Sequence, residues 1–142
     1  MRSTLVLLLA AVAMPLAAHA APAQPTSTAL PFDRTVTGQP VVLPQGPVHV
    51  EFRLSEFPAG FKGPVHKQPY ARYAYILSGR LRVHYEDGGL VREFGPGEAM
   101  VEGIDQWHWV EPVGDEGVKV LVVDQTPPGA ANVVIRPAAK GD

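Results

Sequence analysis

No cysteine occurs anywhere in the 142 residues, and that one absence removes a group of functions. Disulfides, a thiol nucleophile, cysteine-ligated zinc and lipid attachment through an N-terminal cysteine are all excluded. An excess of one charge is also missing: 12 Lys and Arg stand against 14 Asp and Glu, a formal net charge of −2, with no basic run. Such a balance offers nothing to nucleic acid or to an anionic membrane surface, so neither is expected as a partner. The apolar run Leu5 to Ala13 falls short of the ~20 residues that a transmembrane helix needs. No stretch combines a helical apolar period with a cap, and no Ser/His/Asp order, phosphate-cradling glycine loop or paired-carboxylate signature stands out.

What is present is enough for one domain: 142 residues, 46% of them hydrophobic, support a single core. Residues 1–20 read as an export signal, with Arg2 as the positive start, Leu5 to Ala13 as the apolar stretch and Ala18-His19-Ala20 as a small-x-small cleavage site. The expected mature chain begins at Ala21, in the periplasm or outside the cell, with no membrane attachment once the signal is removed. Residues 21–37, rich in Ala, Pro, Ser, Thr and Gln, read as a flexible linker, and 38–137 as the folded domain.

That domain has the pattern of an all-β protein. In Val48 to Phe57, the residues Val48, Val50, Phe52 and Leu54 alternate with His49, Glu51, Arg53 and Ser55, which predicts a strand with its apolar face buried. Further short strands are expected at Val41 to Leu43, Tyr73 to Leu77, Leu81 to Tyr85, Leu90 to Phe94, Ala99 to Glu102, His108 to Glu111, Val118 to Asp124 and Val133 to Ile135. Asp87-Gly88-Gly89 supplies a hairpin turn. Short strands separated by Gly, Pro, Asn and Asp predict an antiparallel sandwich or barrel.

Two segments narrow this. Gly60 to Gly79, GFKGPVHKQPYARYAYILSG, and Gly97 to Pro112, GEAMVEGIDQWHWVEP, resemble the paired motifs of the cupin family, G-x5-H-x-H-x3-E-x6-G and G-x5-P-x-G-x2-H-x3-N. The resemblance implies a single antiparallel double-sheet β-barrel of jelly-roll type. Gly60, His66, Gly79, Gly97 and His108 fall on motif positions. Gln68 stands for the second histidine, Arg72 for the glutamate, Gly103 for the proline, Asp105 for the glycine and Pro112 for the asparagine.

Carried over residue by residue, the motifs imply a ligand pocket at His66, Gln68, Arg72, Glu102 and His108, with His108 reaching it from across the barrel. His66, Gln68 and His108 are the implied ligands of one divalent transition metal: iron, manganese, nickel or zinc. Arg72 brings a cation where the motif has an acid, which suits a small organic anion as ligand, or else it is neutralised by a neighbouring acid, Glu102 being the nearest in the second motif. Phe52, Ile76 and Val110 are expected to line the pocket. Tyr73, Tyr75, Trp107 and Trp109 alternate away from it and imply core packing or a contact between two copies in a homodimer. Three functions fit these residues: a small-molecule-binding domain, a metal-dependent enzyme of dioxygenase or isomerase type, and a structural or partner-binding module.

Overall fold

The computed structural model describes residues 26–138; the export signal read over 1–20 and the first residues of the predicted linker lie outside them. Nine strands follow in order: β1 (His49–Phe57), β2 (His66–Lys67), β3 (Arg72–Ser78), β4 (Leu81–Tyr85), β5 (Val91–Phe94), β6 (Ala99–Val101), β7 (His108–Pro112), β8 (Val118–Thr126) and β9 (Val134–Ile135). The only helical piece among the described residues is a 3₁₀ turn at Asp87–Gly89, the predicted hairpin connection between β4 and β5.

The strands form two antiparallel sheets, ordered β1-β8-β3-β6 and β5-β4-β7-β2-β9, the double-sheet jelly roll that the motifs implied. Strand β8 shows why the core lies between them. Val118, Val120, Val122, Asp124 and Thr126 are buried, and the residues alternating with them are half-buried on the outer face. Ala74, Ile76, Leu81, Val83, Tyr85, Met100 and Val110 complete the core with the three valines. Each large apolar side chain buried there contributes about 1.5–3 kcal/mol.

Three expectations fail. The first is the parity of β1. Its odd residues, from His49 to Phe57, pair with the inward-facing residues of β8, so its apolar even residues point outward: Phe52 is 70% exposed and Leu54 is 65% exposed. Phe52 therefore does not line the expected pocket, and Arg53, Ser55 and Phe57 face inward instead. The second is the linker boundary. Thr35 is buried, and the Val36 N–H donates to the Val101 carbonyl at 2.8 Å, extending the sheet edge beyond β6. Packing thus starts before residue 38, because Thr35, Thr37 and Gln39 form a hydrogen-bonded turn whose Gln39 side chain reaches Ile104. The third is Val41 to Leu43, which forms no strand.

Candidate metal centre

Strands β2 and β7 are neighbours, and in their register His66 is the direct partner of His108. The two imidazoles lie side by side on one sheet, ring centroids 4.5 Å apart, and His108 does not cross the barrel as the motifs suggested. Each ring is tethered in the same way. His66 Nδ1 donates to the Pro64 carbonyl at 2.8 Å, and His108 Nδ1 donates to the Gln106 carbonyl at 2.9 Å. A carbonyl can only accept, so Nδ1 carries a proton in both rings; Nε2 of His66 is left to face a ligand, while Nε2 of His108 faces the Glu102 carboxylate.

The third member comes from beyond the end of β6. Glu102 is buried, its backbone N–H donates to the Arg72 carbonyl at 2.9 Å, and its Oε2 lies 3.2 Å from His108 Nε2. One ligand atom from each of His66, Glu102 and His108 can be chosen so that all three lie within 4.8 Å of one another. The cupin motif expects its acid at position 72. Here the carboxylate sits on the neighbouring strand, beside that position, and Arg72 occupies the place itself.

Arg72 turns to its other side. It is the cross-strand partner of Asp124 on β8, and its Nε and Nη2 bond the Asp124 carboxylate at 2.8 and 2.7 Å. Asn132 Nδ2 donates to the same carboxylate at 2.6 Å. Both charges are buried, and the bidentate geometry together with the third donor is what such a pair needs to offset desolvation. Asp124, and not the expected Glu102, is therefore the acid that neutralises Arg72. Sequence parity held the signal: Asp124 is the one charge on the inward phase of the Val118, Val120, Val122 run.

The titration of the group follows from these contacts. Burial pushes the His66 imidazole below its ordinary value, against the Pro64 hydrogen bond, which leaves it neutral and ready to ligate. Burial also pushes His108 down, but the hydrogen bond and charge of Glu102 outweigh it and raise that imidazole. Burial pushes the Glu102 carboxyl up, and His108, with Arg72 and His66, more than reverses this, so Glu102 is held low and ionised. Tyr85, missed as a site residue because its alternation marks it only as core, packs its ring 4.9 Å from that of His108 and accepts the Gly103 N–H at 2.8 Å. Burial and the Glu102 charge push its phenol up, so it stays protonated. Gly103 is tightly placed: a Cβ there would meet Gln106 Oε1 at 2.6 Å and Tyr85 Cε1 at 2.9 Å.

Gln68 follows His66 by two residues in an extended segment, its backbone carbonyl accepting the Asp105 N–H at 2.7 Å. Its side chain is 0% exposed, and neither Oε1 nor Nε2 has a hydrogen-bond partner among the described residues. A buried amide without partners costs about 1–3 kcal/mol, and an ion within reach of Oε1 would relieve part of that cost. The donor set of imidazole nitrogen, carboxylate and amide oxygen fits a first-row divalent ion.

His66, Arg72 and Glu102 also line a cavity of about 240 Å³ whose other walls include Phe57, Phe61, Val110 and Ile135. Ile76, expected in that lining, is core. The aromatic residues do turn away from the site, but they do not form one face. Tyr73 and Tyr75 lie on β3 in the first sheet and Trp109 on β7 in the second. Trp109 stacks on His84 at 3.8 Å under Lys62, and Trp107 lies under Lys67 and Arg136, so cationic side chains already cover both indoles.

Comparison with known proteins agrees with this architecture. The chain resembles the DMSP lyase DddQ from Ruegeria pomeroyi DSS-3, with 23% identity over 61% of this chain and 42% of that one and a TM-score of 0.52. It also resembles the oxalate decarboxylase of Bacillus subtilis, with 21% identity over 61% of this chain and 23% of that one and a TM-score of 0.51. The Lactobacillus farciminis oxalate decarboxylase gives 22% identity, 61% and 26% coverage and a TM-score of 0.50. The match spans less than half the length of each of these proteins, and at such identities it shows a common fold. A search of curated proteins finds no match. The profile of the family described as Cupin domain matches residues 53–124, from the inward-facing arginine of β1 to the aspartate that holds Arg72, and the chain belongs to that family.

Proposed function

We propose that this chain is an exported cupin that holds one divalent transition metal at His66, Glu102 and His108, with Gln68 Oε1 as a further donor, and binds a small organic anion in the adjoining cavity. The observation that carries the reading is the convergence of three ligand atoms within 4.8 Å in a site where both histidines have Nδ1 committed to backbone carbonyls. Gln68 replaces one histidine of the motif, and Glu102 supplies from the next strand the acid that position 72 lacks. His108 gives up its Nε2 proton to the surroundings when it ligates, so binding releases a proton.

The ion would act as a Lewis acid toward an oxygen of the bound molecule. Arg72 keeps Nη1 outside its pair with Asp124, and Arg53 also lines the cavity, so a carboxylate has cationic donors to meet. Phe57, Phe61 and Val110 suit a compact apolar body on the same molecule. The Bacillus subtilis oxalate decarboxylase has Mn(II) centres, which makes manganese the first ion to try. A metal-dependent enzyme is the second reading, favoured by the fact that His66 and Glu102 border the centre and the cavity at once. The export signal read over 1–20 supports a periplasmic or secreted location; detection of Met1 on protein recovered from outside the cytoplasm would count against it.

The test is elemental analysis of the protein as purified, followed by calorimetric titration with manganese, iron(II), nickel and zinc. One ion per chain, lost in Glu102→Gln, supports the proposal. No bound ion and no titration signal with any of the four would end it.

A further inference from the structure

The largest exposed apolar side chains of the barrel gather on one strand. Strand β1 is the edge of its sheet, bonded to β8 on one side and to no strand on the other among the described residues. Its outward face carries Val50, Phe52 and Leu54, with Phe52 70% and Leu54 65% exposed. These continue a ladder across the sheet, since Phe52 pairs with Val123 and Leu54 with Leu121, and those two pair in turn with Tyr73 and Tyr75. Exposure is highest at the outer strand, which places the uncovered area at the edge. A nine-residue edge strand with an apolar row on its outer face is a ready template for another strand and is normally covered.

We propose that the occupant is a second copy of this chain, β1 pairing antiparallel with β1 of the partner about a two-fold axis through Phe52. The argument is the self-complementarity of the sequence in that register. A two-fold contact requires that if one residue meets another, the second also meets the first. Centred on Phe52, the pairing sets Phe52 against its own copy, Val50 against Leu54, and Glu51 against Arg53. The apolar pairs Phe52 with Phe52 and Val50 with Leu54 meet on the outer side and Glu51 with Arg53 on the inner side, while Glu56, already paired to Lys119, falls opposite Val48 at the end of the strand. Glu51 and Arg53 already form an ion pair within the strand, with side chains close to half exposed. In the dimer the two Glu51 and two Arg53 side chains form a square of alternating charge. Registers centred on Glu51 or Arg53 would instead set like charges opposite themselves, which disfavours them.

The pairing also reaches the candidate site, because Arg53 lines the cavity beside His66 and Arg72. It gives that arginine a fixed neighbour on the partner.

The experiment is sedimentation equilibrium of the chain over a wide concentration range, with Arg53→Glu, Phe52→Lys and the exchange Glu51→Arg with Arg53→Glu, each checked by circular dichroism. The wild-type chain is expected to dimerise. Arg53→Glu places like charges opposite each other twice and should weaken the dimer at least about tenfold. Phe52→Lys should abolish it, and the charge exchange should restore it to within a few-fold of wild type. A wild-type monomer at every concentration, a dimer indifferent to Arg53→Glu, or a folded exchange variant that stays monomeric would each overturn the proposal.

Discussion

His66 and His108 are direct cross-strand partners whose rings lie 4.5 Å apart, each with Nδ1 tied to the carbonyl two residues before it. Pairing fixes the distance between the rings, and the carbonyls fix their tautomer. Neither ring needs to turn in order to present Nε2, so the ordering cost of a ligand is reduced before it arrives, although His108 must first release the proton it shares with Glu102. Glu102 then provides the negative charge that imidazole ligands lack.

Gln68 carries a cost of its own. Both polar atoms of its amide are buried without partners. Gln68→Leu removes them at similar volume, so the metal-free protein should gain about 1–3 kcal/mol in urea unfolding. Metal affinity should fall on the order of tenfold or more in calorimetry. A variant that loses stability while keeping its metal affinity would show that the amide belongs to the core and not to the site.

The Arg72–Asp124 pair makes the opposite prediction. Its partners are buried and bidentate, so Asp124→Asn leaves a cation short of its counter-charge and should cost about 3–5 kcal/mol. Replacing both residues with leucine should cost less than that single change, since no charge is then stranded. Urea unfolding of the two variants decides it, and a double variant no better than Asp124→Asn would contradict the account.

The same pair sets an acid limit. Burial pushes the Asp124 carboxyl up, but the Arg72 hydrogen bonds and charge, with the Asn132 amide, outweigh it and hold the carboxyl below its ordinary value. A carboxyl depressed in the folded state stabilises fully above its unfolded pKa, about 3.9, and loses that contribution as pH falls through the lower folded value. The contribution of Asp124 should therefore be level from neutral pH down to about 5 and drop below about 4. Glu102 is depressed too and adds to the drop. Asp124→Asn should shallow the acid limb by about one proton without removing it, as thermal unfolding across pH would show. An unchanged limb in that variant would mean that Asp124 is not depressed in the fold.

The fold was legible because its signals are local: alternation in β4 and β8, the Asp87-Gly88-Gly89 turn, and five motif residues at the right intervals. The parity of β1 was not, because the rule that apolar residues face inward assumes a covered outer face, and this edge strand leaves its own uncovered. The motifs point to His66, Gln68 and His108 as ligands and bring Glu102 forward only as a pocket residue and a counter-charge for Arg72, whereas the structure gathers His66, Glu102 and His108. What the motifs could not give was which strand lies beside which: that His108 neighbours His66, and that Arg72 stands between Glu102 and Asp124. That choice depends on strand order, and strand order is a long-range property.

Two motif glycines separate two reasons for having glycine. Gly79 and Gly97 both have positive φ, 72° and 85°. At Gly97 an added Cβ would meet nothing within 4 Å, so Gly97→Ala should cost only the left-handed backbone penalty of about 1–2 kcal/mol. At Gly79 the same Cβ would collide with the Gly117 carbonyl oxygen and lie 2.9 Å from Val118 Cα, both backbone atoms of the chain entering β8. Neither can rotate away, so Gly79→Ala must push β3 and β8 apart where the core is closed, and should cost clearly more than Gly97→Ala. Urea unfolding of both variants measures the difference. Equal losses would mean that the approach of Gly79 to Gly117 is not a constraint, and that both motif glycines are there for their turns alone.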